Sequence, residues 1–170
     1  MEGRKKPLGV RALAALALLG ALLFVTKTAM APLPNIEPVS LLVMVYAVVL
    51  GRKALFPIYI FVAMDMLIWG VSVWTIAYFY VWTVLALLAW GFRRMESRLG
   101  WAVLSGAFGL CFGLLCTLIN LFIGGWELAL TWWLAGIPFD VLHCAGNFVM
   151  ALVLFRPCKK VLGALWAGIE

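Results

Sequence analysis

Three polar side chains lie within eight residues of one another in a segment that is otherwise apolar, "GIPFDVLHCAGNF" at 136–148. They are Asp140, His143 and Asn147, and their i, i+3, i+7 spacing places them within about 60° of one another on a helix. An ionisable group inside hydrocarbon is costly unless it faces a cavity or a partner, so this face predicts a ligand site or a proton relay. The alternative is a buried pair of Asp140 and His143 that only ties this helix to a neighbour.

Two further polar residues occur in apolar segments, Asp65 in "VAMDMLIW" and Asn120. Asp65 is expected either to contribute to the same site or to form a structural ion pair with Lys27. Asn120 and Asn147, taken singly, are as consistent with hydrogen bonds between helices as with ligand contacts. Convergence of these side chains in the outer half of one helical bundle would form a polar binding site.

Aromatic residues make up 14% of the chain, and nine of them are tryptophan. Trp90, Trp101 and Trp166 lie near basic clusters and predict an aromatic belt at the inner membrane interface. A second group lies near the opposite ends of the predicted spans: Trp69, Trp74, Trp126, Trp132 and Trp133. We expect this group to act partly as an outer belt and partly as the wall of a pocket that stacks a planar ring.

The residue types needed for catalysis or metal binding are sparse. The chain has one histidine, no serine in a recognisable nucleophile motif, and four cysteines that form neither a CxxC nor a zinc spacing. A nucleotide-binding loop is also absent from the sequence. We therefore predict that the protein is not an enzyme and has no cofactor, and that any energy it uses comes from a partner.

The composition places these residues in a lipid bilayer. The chain of 170 residues is 66% hydrophobic and 12% charged, with a mean hydropathy of +1.12. A soluble domain of this size would expose much of that apolar surface to water. The net charge of +6 does not indicate nucleic-acid binding, because the basic residues are grouped beside apolar segments.

Twelve of the thirteen basic residues form four clusters, within 4–11, 52–53, 93–98 and 156–160. About 40, 40 and 57 residues separate consecutive clusters, enough each time for two crossings of about 20 residues. The spacing predicts an all-α integral membrane protein with six transmembrane helices, both termini and all four clusters being cytoplasmic. Four acidic residues fall in or near the predicted outer half: Glu37, Asp65, Glu127 and Asp140.

The predicted spans form a single domain, 1–170, and are about 7–30, 39–50, 54–69, 74–92, 100–123 and 128–155. Residues 1–6 and 156–170 are expected to be cytoplasmic tails. The first span has small residues at Ala29 and Ala31, as in a signal-peptide cleavage site, but its length favours retention as a helix.

Small and helix-breaking residues predict local features of these spans. The loop at 31–40 holds three prolines and is expected to cap the outer side. Gly109 and Gly113 form a GxxxG motif, which predicts close packing on another helix. Gly136 and Pro138 predict a bend just before the polar face described above.

Several stretches resemble those of the substrate-binding S components of energy-coupling factor (ECF) transporters, the vitamin-uptake branch of ABC transporters. They are the AxxxA motif of the first helix, the proline-bearing outer loop, "NIEPVSLL", "ALFPIYIFV", "SGAFGLCFG" and "GIPFDVLHCAGNF". The resemblance covers nearly the whole chain and implies an S-component-like six-helix bundle in the bacterial cell membrane. It also implies that the protein captures a vitamin from outside and delivers it with a transmembrane T component and two ABC ATPases.

The resemblance further implies roles for individual residues. The pocket would be made by the outer halves of the helices and capped by the first outer loop, here around Asn35 and Glu37. Ala17 and Ala21 would pack on the coupling helices of the T component, and Ala14 lies on the same face. The alternative is that these alanines pack only within the bundle.

The candidate substrate-binding residues are therefore Asn35, Glu37, Asp65, Trp69, Trp74, Asn120, Trp126, Trp132, Asp140, His143 and Asn147. The acidic residues favour a neutral or cationic ligand, and the tryptophans favour a planar heterocycle. A thiamin-like compound, a pyrimidine, a benzimidazole-type precursor and cobalamin all stay open. The rival functions are a small self-contained carrier or channel and a membrane scaffold without a ligand.

Overall fold

The computed structural model describes residues 8–33 and 35–169, so the predicted tail at 1–6 lies outside the described residues. Helices make up 87% of the structure, and the described residues contain no strand, which confirms the all-α class. A short 3-10 helix, Gly51–Ala54, connects the second helix to the third. The α-helices are α1 (Val10–Ala29), α2 (Val39–Leu50), α3 (Leu55–Trp69), α4 (Val73–Gly91) and α5 (Arg98–Ala167).

Helix α5 is interrupted at Gly124 and Gly125. Gly125 has φ 72° and ψ −166°, a backbone conformation that residues with a side chain rarely adopt. We call residues 98–123 the first limb of α5 and residues 126–167 the second limb. The interruption lies between the fifth and sixth predicted spans, 100–123 and 128–155.

The two limbs of α5 pack against each other through glycines of the first limb. A Cβ atom at Gly109 would lie 2.8 Å from the backbone carbonyl carbon of His143, and one at Gly113 would lie 2.5 Å from Asp140 Oδ2. Only glycine therefore permits this approach, and the prediction of close packing at the GxxxG motif is confirmed. Since the higher-numbered glycine meets the lower-numbered partner, the limbs are antiparallel.

Two details of the second limb differ from the sequence-based expectation. The backbone stays helical through Pro138, so the expected bend is not seen as a break in dihedral angles. The helix also continues to Ala167, whereas 156–170 is predicted to be a tail. Trp166 is buried and the Lys53 ammonium lies 5.3 Å from the centre of its ring, so packing stabilises these last turns.

Helix α2 lies at the centre of the bundle, and nine of its twelve residues are buried. It contacts α4 and α5, whereas α1 packs mainly on α3. The Tyr46 hydroxyl donates a hydrogen bond to the carbonyl oxygen of Leu19, at 3.2 Å, and so ties α2 to α1. The outward faces of the other helices expose large apolar side chains such as Leu18, Leu87 and Val153, a surface suited to lipid.

Among the described residues, four segments are long and apolar enough to cross a membrane: Val10–Ala29, Val39–Trp69, Val73–Gly91 and Arg98–Ala167. This is compatible with a multi-pass membrane protein, but the count differs from the six predicted spans. Helices α2 and α3 have 12 and 15 residues and are about 18 and 22 Å long, shorter than a hydrocarbon layer of about 30 Å. Helix α5 counts once because its 70 residues form one nearly continuous helical run.

One end of the bundle, which we call the basic end, gathers positively charged side chains. The Arg52 guanidinium lies 5.8 Å from the centre of the Trp90 ring, and Arg93 lies 4.8 Å from the same ring. Arg156 donates a hydrogen bond to the carbonyl oxygen of Glu96 at 2.5 Å. The opposite end holds Lys27 in the last turn of α1 and two cavities, and we call it the cavity end.

The tryptophans of the basic end are not a simple lipid-facing belt. Trp101 is buried and stacks on Phe155 with 4.2 Å between ring centres. Its indole N–H donates to the carbonyl oxygen of Met95 at 2.9 Å, which fastens the loop before α5. Trp166 is buried as well, and Trp90 is half-buried. The sequence places these rings at the correct end, but tertiary packing covers two of them.

Candidate functional site

The cavity end contains an ion pair between α1 and α3. Lys27 Nζ lies 2.5 Å from Asp65 Oδ1, and the Asp65 side chain is only 3% exposed. The same ammonium group lies 4.9 Å from the centre of the Tyr78 ring and 5.9 Å from that of Phe61. The structure thus contains the Lys27 ion pair, one of the two expected roles of Asp65, and also places Asp65 in a cavity wall.

Glu37 lies in the loop between α1 and α2, close to this ion pair. Its side chain is half-buried and has no hydrogen bond or ion pair with the residues that the structure describes. Burial raises the pKa of the Glu37 carboxyl to about 7; Lys27 opposes this shift and Asp65 adds to it. Glu37 is therefore a carboxyl that changes charge near neutral pH beside a charge-balanced pair.

A first cavity of about 470 Å³ surrounds these groups. Its polar wall contains Lys27, Asp65 and Glu37, and its aromatic wall contains Trp69 and Tyr78. The other residues that line it are Thr28, Met30, Ala31, Leu33, Asn35, Ser72, Trp74, Thr75 and Phe112.

The loop at the start of α4 is fixed by local hydrogen bonds. Ser72 caps this helix by accepting a hydrogen bond from the Thr75 backbone N–H, and the Thr75 hydroxyl accepts one from the Ser72 N–H. This capping box orients the start of α4, whose first two turns supply Trp74 and Tyr78 to the cavity wall.

A second cavity of about 320 Å³ adjoins the first and has three lining residues in common with it, Asn35, Trp74 and Phe112. Trp74 also contacts Trp132, with 4.8 Å between ring centres and 49° between ring planes. The remaining lining residues come from α5 and are Gly113, Trp132, Ala135, Gly136, Phe139 and Asp140. We call the two together the joined cavities.

Of the described residues that line the second cavity, Asp140 alone is charged. Its Oδ1 accepts a hydrogen bond from the Gly113 backbone N–H at 2.9 Å. Its Oδ2 has no hydrogen-bond partner among the described residues, although the residue is only 5% exposed. An unpaired carboxyl oxygen at a cavity wall is suited to accept a hydrogen bond from a ligand.

The other two residues of the predicted polar face do not line either cavity. His143 is buried with its ring edge-on to Phe112, at 4.7 Å between centres, and neither ring nitrogen has a partner among the described residues. The alternative interpretation, a buried pair of Asp140 and His143, is therefore not seen among the described contacts. Asn147 Nδ2 donates to Ser40 Oγ at 3.0 Å and so ties the second limb of α5 to α2.

Two further candidate residues lie outside the cavity walls. Asn120 is buried in the first limb of α5, and its amide nitrogen has no partner among the described residues. Trp126 is 69% exposed directly after the interruption of α5. By contrast, Asn35, Glu37, Asp65, Trp69, Trp74, Trp132 and Asp140 all line the joined cavities.

Tyr78 and Phe112 are lining residues that the candidate set omits. Phe112 lies in "SGAFGLCFG", beside Gly113, whose N–H bonds to Asp140. Its position in this stretch could have indicated that Phe112 belongs to the site. Tyr78 is one of many aromatic residues in α4, and spacing alone does not distinguish the cavity-facing rings from the lipid-facing ones.

The candidate T-component contacts lie on α1. Ala14 and Ala17 are exposed and Ala21 is half-buried. The face of α1 that packs on α3 lies elsewhere: a Cβ atom at Gly20 would be 2.6 Å from the Ile60 side chain. Ala14 and Ala17 therefore lie on an outer surface of α1 that none of the described residues covers.

Within the described residues, no three His, Cys, Asp or Glu side chains come close enough together to hold a metal ion. The site consists of aromatic walls, one balanced ion pair and two carboxyl groups without a counter-ion. Comparisons with protein-family models, with curated proteins and with solved structures found no match for this chain.

Proposed function

We propose that the protein is the substrate-binding S component of an ECF-type transporter, which captures a vitamin or vitamin precursor in the joined cavities. The observation that carries the proposal is the pair of adjoining cavities, 470 and 320 Å³, at the end of the bundle opposite the basic clusters. Their mixture of aromatic rings and a few polar groups is typical of small-molecule sites. The resemblance of the sequence to S components supports the same function.

The proposed topology has six crossings with both termini in the cytoplasm. Helices α2 and α3 are two crossings, because Glu37 before α2 and Asp65 near the end of α3 line the same cavity. The two antiparallel limbs of α5 are two more. The bias of basic residues toward the cytoplasm then directs the cavity end outward, where a nutrient is captured.

Assembly is proposed to use the outer surface of α1. Exposed Ala14 and Ala17 allow a partner helix to approach closely, as small residues do at helix contacts within membranes. In this proposal a T component docks there and two ABC ATPases supply the energy. The chain binds and releases its substrate without altering it.

The test is a thermal-shift screen of the detergent-purified chain against B-group vitamins and their precursors. A ligand at a hundred times its Kd should add about 2.7 kcal/mol of stability, which is readily measured. We expect one compound or chemical group to raise the melting temperature. Folded protein that no compound in the panel stabilises would contradict vitamin capture and favour a scaffold.

A second measurement separates the transporter subunit from a self-contained carrier. Proteoliposomes that contain the chain alone should bind the identified compound without accumulating it. Uptake into such vesicles in the absence of ATPase partners would contradict the S-component proposal.

A further inference from the structure

The joined cavities contain more carboxyl groups than cations. Asp65, Glu37 and Asp140 line them, and among the described lining residues Lys27 alone is basic. Lys27 lies 2.5 Å from Asp65, so this pair is balanced within the protein. Glu37 and Asp140 have no ion-pair partner among the described residues.

The fold holds the Asp140 carboxyl in place without neutralising it. The Gly113 N–H donates a hydrogen bond to Oδ1 at 2.9 Å, and no residue that the structure describes bonds to Oδ2. A Cβ atom at Gly113 would lie 2.5 Å from Oδ2, so the first limb of α5 packs closely against one side of the carboxyl. A negative charge held in a water-poor wall favours a positively charged partner.

The aromatic residues near Asp140 suit a flat, positively charged ring system. Trp74 and Trp132 contact each other in the wall of the second cavity, and Phe112 lies in the walls of both cavities. Aromatic faces attract cations as well as stacking on planar rings, so these walls and the carboxyl favour the same ligand.

We propose that the joined cavities select a planar aromatic ligand with a positive charge, its cationic nitrogen bound to Asp140 and Glu37 serving as the second carboxyl group. This inference rests on the proposed function, because it narrows the substrate class of the same site. It assigns Asp65 to the structural ion pair and removes it from charge recognition. His143 and Asn147 support the wall and do not touch the ligand.

Three probes of one shape and different charge test the proposal on the unaltered protein: benzamidinium, benzamide and benzoate. Their affinities for the purified full chain are measured by equilibrium dialysis at about pH 8, where Glu37 is mostly ionised. We expect benzamidinium to bind about tenfold more tightly than benzamide, the factor that one charge-assisted hydrogen bond contributes, and benzoate to bind most weakly. Equal affinities, or a preference for benzamide or benzoate, would overturn the proposal without any variant.

Variants then test which carboxyl group causes the preference for the positively charged probe. Asp140→Asn should abolish the preference for benzamidinium over benzamide, and Glu37→Gln should reduce it. Glu127→Gln is the matched control, because Glu127 is exposed and lines neither cavity, so the preference should be unchanged. A folded Asp140→Asn variant that keeps the full preference would overturn the role of Asp140.

This outcome is independent of the vitamin screen. Equal affinities for the three probes, together with stabilisation by a vitamin, would overturn the inference and leave the proposed function standing. A strong preference for benzamidinium with no response to any vitamin would support the charge assignment and contradict vitamin capture.

Discussion

The basic end and the cavity end both concentrate charge, but they accommodate it differently. At the basic end, Arg52 and Arg93 lie over the Trp90 ring and Arg156 bonds to a backbone carbonyl, all near the protein surface. At the cavity end, Asp65 and Asp140 are buried, and within the described part of the chain Asp65 has a counter-ion and Asp140 has none. Exposed charges cost little and contribute little, whereas a buried unpaired charge is costly unless it has a use. The contrast places the costly buried charges at the cavity end, where the proposed ligand would bind.

The largest expected effect comes from breaking the ion pair of the cavity end. Lys27→Met should destabilise the folded protein by about 3–5 kcal/mol, because it leaves the Asp65 carboxylate buried and unpaired. Thermal unfolding in detergent measures the loss. The double variant Lys27→Met with Asp65→Leu should recover most of it, and a double variant as unstable as the single one would contradict this account.

A smaller loss is expected from crowding the carboxyl of the second cavity. Gly113→Ala should cost about 1–3 kcal/mol, because the added Cβ would lie 2.5 Å from Asp140 Oδ2 and must displace it. Gly163→Ala, near the C-terminal end of α5, is the matched control because a Cβ there meets nothing within 4 Å. Thermal unfolding should show the control to be neutral or slightly more stable, and equal losses at both sites would contradict the close fit.

A moderate pH effect is expected from Glu37, which has a folded-state pKa of about 7 against an ordinary value of 4.5. Between these values the folded chain holds a proton that the unfolded chain has released, so stability should fall as the pH rises from about 4.5 to about 7. Unfolding measured across this range should show less dependence on pH in Glu37→Gln than in the unaltered protein. Glu127→Gln should keep the original slope, and an unchanged slope in Glu37→Gln would assign the effect to another group.

The smallest effect is expected at the basic end. Trp90→Leu removes the ring over which Arg52 and Arg93 lie and should cost about 0.5–1 kcal/mol beyond the lost apolar contact, since these cations stay hydrated. Thermal unfolding of this variant at low and high salt measures the loss of stability. A loss of stability as large as that of Lys27→Met would contradict the expectation that exposed charges at the basic end contribute less to stability than the buried pair at the cavity end.

The sequence predicts the elements of the fold well where local chemistry decides them. The predicted bounds of the second span match α2, and the predicted ends of the third and fifth spans, at 69 and 123, match the end of α3 and the interruption of α5. The packing of Gly109 and Gly113 follows from their spacing. The number of membrane crossings is harder to predict, because α2 and α3 are shorter than a typical span and rely on burial against other helices.

The candidate site is predictable only in part, because long-range packing decides which polar groups reach the cavities. Asp140, His143 and Asn147 share one helical face, yet only Asp140 lines a cavity. One edge of that helical face borders the cavity and the rest packs in the core. Helical spacing alone therefore cannot tell which of the three residues lines the cavity. The pairing of Lys27 with Asp65 joins residues 38 positions apart, and nothing in their local sequences distinguishes it from the alternatives.

The shared wall formed by Asn35, Trp74 and Phe112 has a consequence for how affinity is built up. Two small fragments, one in each cavity, would each lose their own translational freedom on binding. A single molecule that extends past these residues and fills both cavities loses its translational freedom once. Its second half then meets the second cavity at a high effective concentration. Two fragments of millimolar affinity, correctly linked, should therefore form one tight ligand, which offers a route to inhibitors assembled piece by piece.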